Sequence, residues 1–233
     1  MDLTERLARE SPAGRGRPRS KRLALLLGVG CMVLMFRSWA AVLTVTVLLP
    51  DGRPQPGMVV TARSTTGPAH PAAPVEAVMD QVNRMFEPDM LVIPVNSEVT
   101  FPNSDTVSHQ IYSFSPAKRF QLPLYRGKPY PPTRFGQAGL VTLGCNIHDE
   151  MLAYVFVTDA PFFGRTAANG AWSAEVPNGH YRVSIWHPRI REEDKDLQSE
   201  LTIADADGRL TLHLRKPLKP APPEGRPHSW DRY

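Results

Sequence analysis

The sequence predicts an all-β chain built as β-sandwiches, and three features carry that expectation. Short runs rich in Val, Ile, Thr and aromatic residues alternate apolar with polar, as VLTVTVLL (42–49) and HYRVSIWH (180–187) do. Turn formers such as DGRPQPG, AANG and PNG separate these runs at short intervals. No stretch sustains a helical period, and only REEDKDLQS (191–199) reads as a short helical turn.

The front end stands apart. Residues 1–22 hold seven basic residues and end in Lys21-Arg22, after which LALLLGVGCMVLMF (23–36) and then Ser38-Trp39-Ala40 follow. The apolar run falls short of the ~20 residues of a membrane span. A basic region, a short apolar core and a small-x-small site make a secretory signal peptide of residues 1–40. An uncleaved anchor is the competing reading. A lipid anchor at Cys31 is disfavoured by Gly28, which stands where such signals carry Leu. The expectation is export to the periplasm with no stable membrane insertion afterwards. The whole chain is formally +4, yet residues 1–40 carry eight basic and three acidic residues, so the remainder is close to neutral. The basic excess belongs to the leader, and no nucleic-acid partner is expected.

Beyond the leader the elements read in order. Strands at 42–49 and 58–64 flank the DGRPQPG turn, and the Pro/Ala-rich GPAHPAAP (67–74) reads as a linker. MLVIPV (90–95) and SEVTFPN (97–103) are strand-like and joined at Asn96; HQIYSF (109–114) follows the polar turn NSDT. The prolines of SPAKRFQLPLYRGKPYPP (115–132) suit a connection between sheets. GLVTLGC and MLAYVFV bracket the central motif, and AWSAEV, HYRVSIWH, SELTI and RLTLHL follow it. From Lys216 the chain is proline-rich and reads as a disordered tail.

The motif itself is TLGCNIHDEMLAYVFV (142–157), with Cys145, His148 and Met151 at three-residue intervals. Once the leader is gone, Cys145 is a lone thiol in an oxidising compartment, and a metal is its likeliest occupant. Zinc sites recruit more thiolates or a His-rich set, and Met is a poor zinc ligand. Haem attachment needs C-x-x-C-H, and CNIH lacks the second thiol. A Cys–His nucleophile pair has no protease or transferase signature around it. Thiolate, thioether and imidazole together suit copper, and a His₂Cys set with a weak axial Met needs one more histidine. His109, at the end of FPNSDTVSH, is the candidate. His70, His180, His187, His213 and His228 read as histidines without metal, and Met58, Met79, Met85 and Met90 as core or surface residues.

Residues 80–158 resemble a cupredoxin. Phe86-x-Pro88, IPVNSEVTFPNSD, His109 and the C-x-x-H-x-x-M loop carry the resemblance, and the short loop is similar to that of the amicyanins. The SFSPAKRF and LGCNIHD stretches resemble those of exported methylamine-utilisation and plastocyanin-like proteins. The resemblance implies a Greek-key sandwich holding one type 1 copper through His109, Cys145, His148 and Met151. Cupredoxins commonly place Asn after the first histidine to bridge the ligand loops, and Gln110 stands there in this chain.

The flanks, above all FFGRTAANGAWSAEVPNGHYRVSIWHP, resemble transthyretin-like or carboxypeptidase-regulatory-like sandwiches. The expected organisation is therefore a leader (1–40), first flanking strands (41–75), a cupredoxin domain (76–158), the remaining flanking strands (159–215) and a tail (216–233). The cupredoxin is expected to be inserted in, or joined to, the second sandwich. With no acid, base or open coordination position in view, the expectation is a one-electron carrier and not an enzyme. A copper storage or delivery protein is the alternative, and a partner-binding module with a vestigial site a third. The implied partner is a redox protein such as a cytochrome c or a periplasmic dehydrogenase. Asp149 and Glu150, directly after His148, read either as solvated turn residues or as the rim of the face where electrons leave.

Overall fold

A computed structural model describes residues 40–66, 70–191, 197–204 and 206–220. The expected leader lies outside the described residues up to its last position, Ala40, where the first strand begins.

Strand β1 (Ala40–Leu48) leads through the DGRPQPG turn to β2 (Val59–Ser64). Three short strands follow: β3 (Glu76–Val78), β4 (Asp80–Val82) and β5 (Met85–Glu87). Next come β6 (Met90–Pro94), β7 (Ser97–Thr100), β8 (His109–Ser113) and β9 (Phe120–Tyr125). β10 (Thr133–Phe135), β11 (Gly139–Cys145) and β12 (His148–Thr158) complete the central part. β13 (Phe162–Arg165), β14 (Ala171–Pro177), β15 (Gly179–Trp186), β16 (Gln198–Ile203) and β17 (Gly208–His213) close the described chain. The all-β expectation is met.

The early and late strands build one layered pair of sheets. One has the order β14-β1-β17 and the other β13-β2-β15-β16. β1 runs antiparallel to β14 and parallel to β17. Its alternation puts Ala41, Leu43, Val45 and Val47 inward, against Met58, Val60, Trp172, Val183 and Ile185. The AANG turn depends on Gly170, whose φ of +71° suits a residue without Cβ, and an added Cβ would meet the Val47 carbonyl oxygen at 2.8 Å.

The middle strands build a second pair around a second core. A five-stranded sheet, β6-β12-β11-β8-β9, faces a three-stranded one, β10-β7-β3, with the β4–β5 hairpin beside them. Ile93, Val99, Phe101, Ile111, Phe135, Val141, Leu143, Ala153 and Val155 fill the space between, and Cys145 and Met151 belong to the same core. Each fully buried side chain of this size stabilises by about 1.5–3 kcal/mol. The core can therefore absorb the cost of a polar group buried at one pole. Where β15 ends, Trp186 packs against Tyr154 (edge-on) and Phe156 (tilted) of β12 at centroid distances of 5.9 and 5.5 Å. Nearby, Arg165 of β13 reaches Asp89, at 3.7 Å.

Several elements differ from the sequence expectation. The proline-bearing stretch 115–132 contains strand β9. Two residues of β9, Pro123 and Leu124, stand opposite the single Gln110 in a bulge, because His109 pairs Tyr125 while Ile111 pairs Leu122. β9 is also the sheet's edge strand. An edge bulge is where Pro is tolerated, since no ladder bond is lost. The β4–β5 hairpin turns at Asn83-Arg84, both with positive φ (52° and 59°), a primed turn without the glycine that advertises one. The helical turn expected near 191–199 falls largely on residues 192–196, outside the described residues, and β16 begins at Gln198. Of the expected tail, residues 216–220 are described, and Lys219 exchanges two backbone-carbonyl hydrogen bonds with Arg189, each 2.7 Å. Residues 221–233 lie outside the described residues.

Candidate metal centre

The ligand segment is tighter than a turn carrying three donors. β11 and β12 form a hairpin in which Cys145 pairs directly with His148, leaving only Asn146 and Ile147 as the turn. The next pair is Gly144 with Leu152, so Asp149, Glu150 and Met151 form a bulge on β12. Plain alternation would send residues three apart to opposite faces. The bulge re-aims the strand, so that His148 turns toward the site while Met151 takes up the inward alternation continued by Ala153 and Val155. Spacing by three thus works here through a bulge in a strand.

His109 arrives from β8, whose ladder neighbour β11 carries Cys145. Its Nδ1 lies 3.1 Å from His148 Nδ1, and His148 Nδ1 lies 3.8 Å from Cys145 Sγ. The donor atoms of His109, Cys145 and His148 all fall within 4.8 Å of one another. A metal in the plane of two nitrogens and a sulfur, with bonds of about 2.0–2.3 Å, spaces its donors by roughly 3.5–4 Å. The three side chains fit such an ion with small adjustments. Both rings meet edge to face, at a centroid distance of 4.8 Å. His109 and Cys145 are buried and His148 is half-buried. Met151 is buried in the core that holds Cys145. Among the described residues, His70, His180 and His213 are exposed and His187 half-buried, none of them in this group.

One residue at the site was not among those expected. Asp105 Oδ2 accepts a hydrogen bond from His109 Nε2 at 3.0 Å and another from the Arg84 backbone N–H at 2.7 Å, while Oδ1 accepts from Thr106 N–H at 2.8 Å. Burial pushes its carboxyl up, but the bonds from His109, Arg84 and Thr106 outweigh that and hold it below the usual carboxylate value. A carboxylate facing Nε2 fixes the proton there and leaves the Nδ1 lone pair free for a metal. The turn carrying Asp105 is braced in its turn: Asn103 Nδ2 donates to the carbonyls of Val107 (3.0 Å) and Tyr125 (2.8 Å), and its Oδ1 accepts from Asp105 N–H (3.0 Å). The only sequence sign of this role is a carboxylate four residues before the histidine. Gln110, at the position where cupredoxins commonly carry an Asn, is half-buried opposite the β9 bulge.

No family model matches the sequence, and no curated protein does. Solved structures do. A purple cupredoxin from Nitrosopumilus maritimus matches at 25% identity over 35% of this chain and 99% of its own, with a TM-score of 0.32. A reduced amicyanin variant matches at 20% identity over 42% of this chain and 99% of its own, TM-score 0.32. A Cu-containing nitrite reductase from Thermus scotoductus matches at 23% identity over 41% of this chain and 25% of its own, TM-score 0.34. The structural neighbours are thus cupredoxins and a larger copper protein, each matching less than half of this chain.

The reductase corrects one expectation. It is an enzyme by name, so the reading of this chain as a non-enzyme does not stand. The physical reason is plain. That reading rested on the lack of an acid, a base or an open coordination position beside the soft donors. A group that takes up and releases single electrons needs none of these, whether it works alone or serves a reaction elsewhere.

Proposed function

We propose that this chain binds one copper ion, which His109, Cys145 and His148 would hold with Met151 as a further weak donor, and exchanges single electrons. The observation that carries this reading is the convergence of one thiol and two imidazole Nδ1 atoms within 4.8 Å at the closed end of a hairpin. Soft sulfur with borderline nitrogen is the donor set of blue copper sites. Bound copper supplies a one-electron couple between its +1 and +2 states. The protein's part is to keep the donors still. The β11–β12 hairpin fixes Cys145 against His148, the Asp105–Asn103 brace fixes His109, and the core around Leu143 and Ala153 excludes water. Donors that cannot rearrange keep the cost of each electron exchange low.

Residues 76–158 are the unit that holds the site in this reading, carried by the sandwich that the flanking strands build. Residues 1–40 act as an export leader and the work is done in the periplasm, where proteins of the methylamine-utilisation type are its kin and a cytochrome c or a dehydrogenase its partner. Three of the four donors, His109, Cys145 and Met151, are buried, which favours retention of the metal over its delivery to another protein.

The test is an absorption spectrum of the copper-loaded chain without its leader. An intense visible band from sulfur-to-copper charge transfer is expected, and Cys145→Ser should abolish it, because a hydroxyl cannot replace the soft donor. A band that survives in Cys145→Ser would remove Cys145 from the site.

A further inference from the structure

Tyr112 touches the ligand hairpin without being part of the donor set. It lies on β8, opposite Gly144 of β11, the residue that immediately precedes Cys145. A Cβ added to Gly144 would lie 2.9 Å from both Cζ and Oη of Tyr112 and 3.3 Å from its Cε1. The phenol ring therefore rests on the Gly144 peptide, a position open only because that residue lacks a side chain. Tyr112 also packs against Phe114, with ring centroids 5.2 Å apart and planes at 42°. Phe114 is 77% exposed, which is unusual for so large an apolar group.

These contacts form an unbroken line of packed atoms from the thiol to water. It runs from Cys145 Sγ along the backbone to Gly144, across van der Waals contact to the Tyr112 ring, and on to Phe114. Electron tunnelling weakens with distance, and weakens faster across empty gaps than through packed atoms. A π ring held against the peptide next to a thiolate donor shortens the gap that an electron must cross. The half-buried ligand His148 is followed directly by the exposed carboxylates Asp149 and Glu150.

We propose that electrons enter and leave the centre through Tyr112 and Phe114, on the outer face of the five-stranded sheet, an inference that rests on the one-electron copper reading above. In reaction with an external oxidant such as ferricyanide, one electron passes from the reduced centre to the iron, which goes from +3 to +2. No bond forms or breaks, and Tyr112 keeps its hydroxyl proton throughout.

The experiment compares the copper-loaded chain with Tyr112→Phe, Tyr112→Leu and Phe114→Ala. Reoxidation by ferricyanide, the reduction potential and the visible spectrum are measured for each. Copper-free samples report the packing through the ring-current shift of the Gly144 α-protons. The expected result is that Tyr112→Phe keeps both the ring-current shift and the rate. Tyr112→Leu should lose the shift and slow several-fold, and Phe114→Ala should slow less, all with band and potential unchanged. An equal rate in Tyr112→Leu with an intact band overturns this inference alone. So does a slowing that tracks a changed potential, which would mark Tyr112 as packing only. Absence of the band from the unsubstituted chain overturns the copper reading and the inference together.

Discussion

The two cores of this chain use the same strand alternation but tolerate different contents. Buried polar residues in the part built from the flanking strands are Thr61 and Thr166 among the described residues, and the rest of its core is apolar. The central part buries Gln81, Ser97, Asn103, His109 and Ser113, with Thr158 at its end. Each such group costs about 1–3 kcal/mol if left without a partner. The central part meets most of that cost with a connected set of bonds: Gln81 Nε2 to Tyr125 and Pro102, Asn103 to Val107 and Tyr125, and His109 to Asp105, while the buried Gln81 Oε1 has no partner among the described residues. Tyr125 shows how closed this region is, since burial pushes its hydroxyl up to about 12. The flanking core is thus a scaffold, and polar burial marks where the central one departs from pure packing to hold three donors.

The sharpest way to break this comparison is to cut one matched cavity in each core. Leu43 and Leu143 are both fully buried, and Leu→Ala at such a position costs about 2–5 kcal/mol. Both variants should unfold at lower urea. Only Leu143→Ala, two residues from Cys145, should also shift the visible band and weaken copper retention on dialysis. If Leu43→Ala disturbs the band as much as Leu143→Ala does, the two cores are not separate in function.

How much of this difference could be read beforehand depends on where the information lies. That Cys145 and His148 come together was legible because their spacing is local, and His109 joins them from another strand, as the resemblance implied. Asp105 was not legible, because a carboxylate in an NSDT turn looks like any solvated turn residue. Its role exists only once the β4–β5 hairpin brings the Arg84 N–H to the same oxygen. β9 was hidden by prolines whose meaning changes at a sheet edge, and the β4–β5 hairpin by a primed turn made without glycine. The bulge at Asp149–Met151 was hidden for a related reason. Spacing by three suggested a turn, and nothing local says that a strand can carry the same spacing by slipping its register.

A smaller effect is expected at the seam between the two cores. His187 follows Trp186, accepts a hydrogen bond from Arg189 N–H at 3.2 Å, and is half-buried. Burial, then the Arg189 and Arg165 cations, push its pKa down from 6.5 to about 4, with Asp89 working weakly the other way. The folded state thus holds His187 neutral at a pH where the unfolded chain takes up a proton. The stability this group contributes is present above pH 6.5 and drains away as pH falls toward about 4, below which both states are protonated. At about 1.4 kcal/mol per unit, discounted for partial solvent access, the loss is about 2 kcal/mol. Urea unfolding of wild type and His187→Gln at pH 7 and pH 4.5 checks it. The gap between the two proteins should shrink on acidification, and a constant gap would mean that His187 does not titrate across the seam.

The smallest effect concerns the exposed side of the ligand bulge, where the central part meets water. Asp149 and Glu150 are both exposed and directly follow His148. Exposed charges contribute only about 0–1 kcal/mol to stability, so replacing them should leave unfolding unchanged. Their field acts instead on charge at the centre and on charged partners in solution. Negative charge nearby favours the more positive oxidation state, so Asp149→Asn with Glu150→Gln should raise the reduction potential. It should also slow reaction with a basic one-electron partner such as a cytochrome c. At ~0.15 M salt the Debye length is about 8 Å, so that difference should fade as salt is added. Transfer to a small neutral acceptor, measured beside it, should show no salt dependence in either protein. If the double variant keeps both its potential and its salt profile, these carboxylates are solvated bulge residues, and partners are steered by charge elsewhere on the surface.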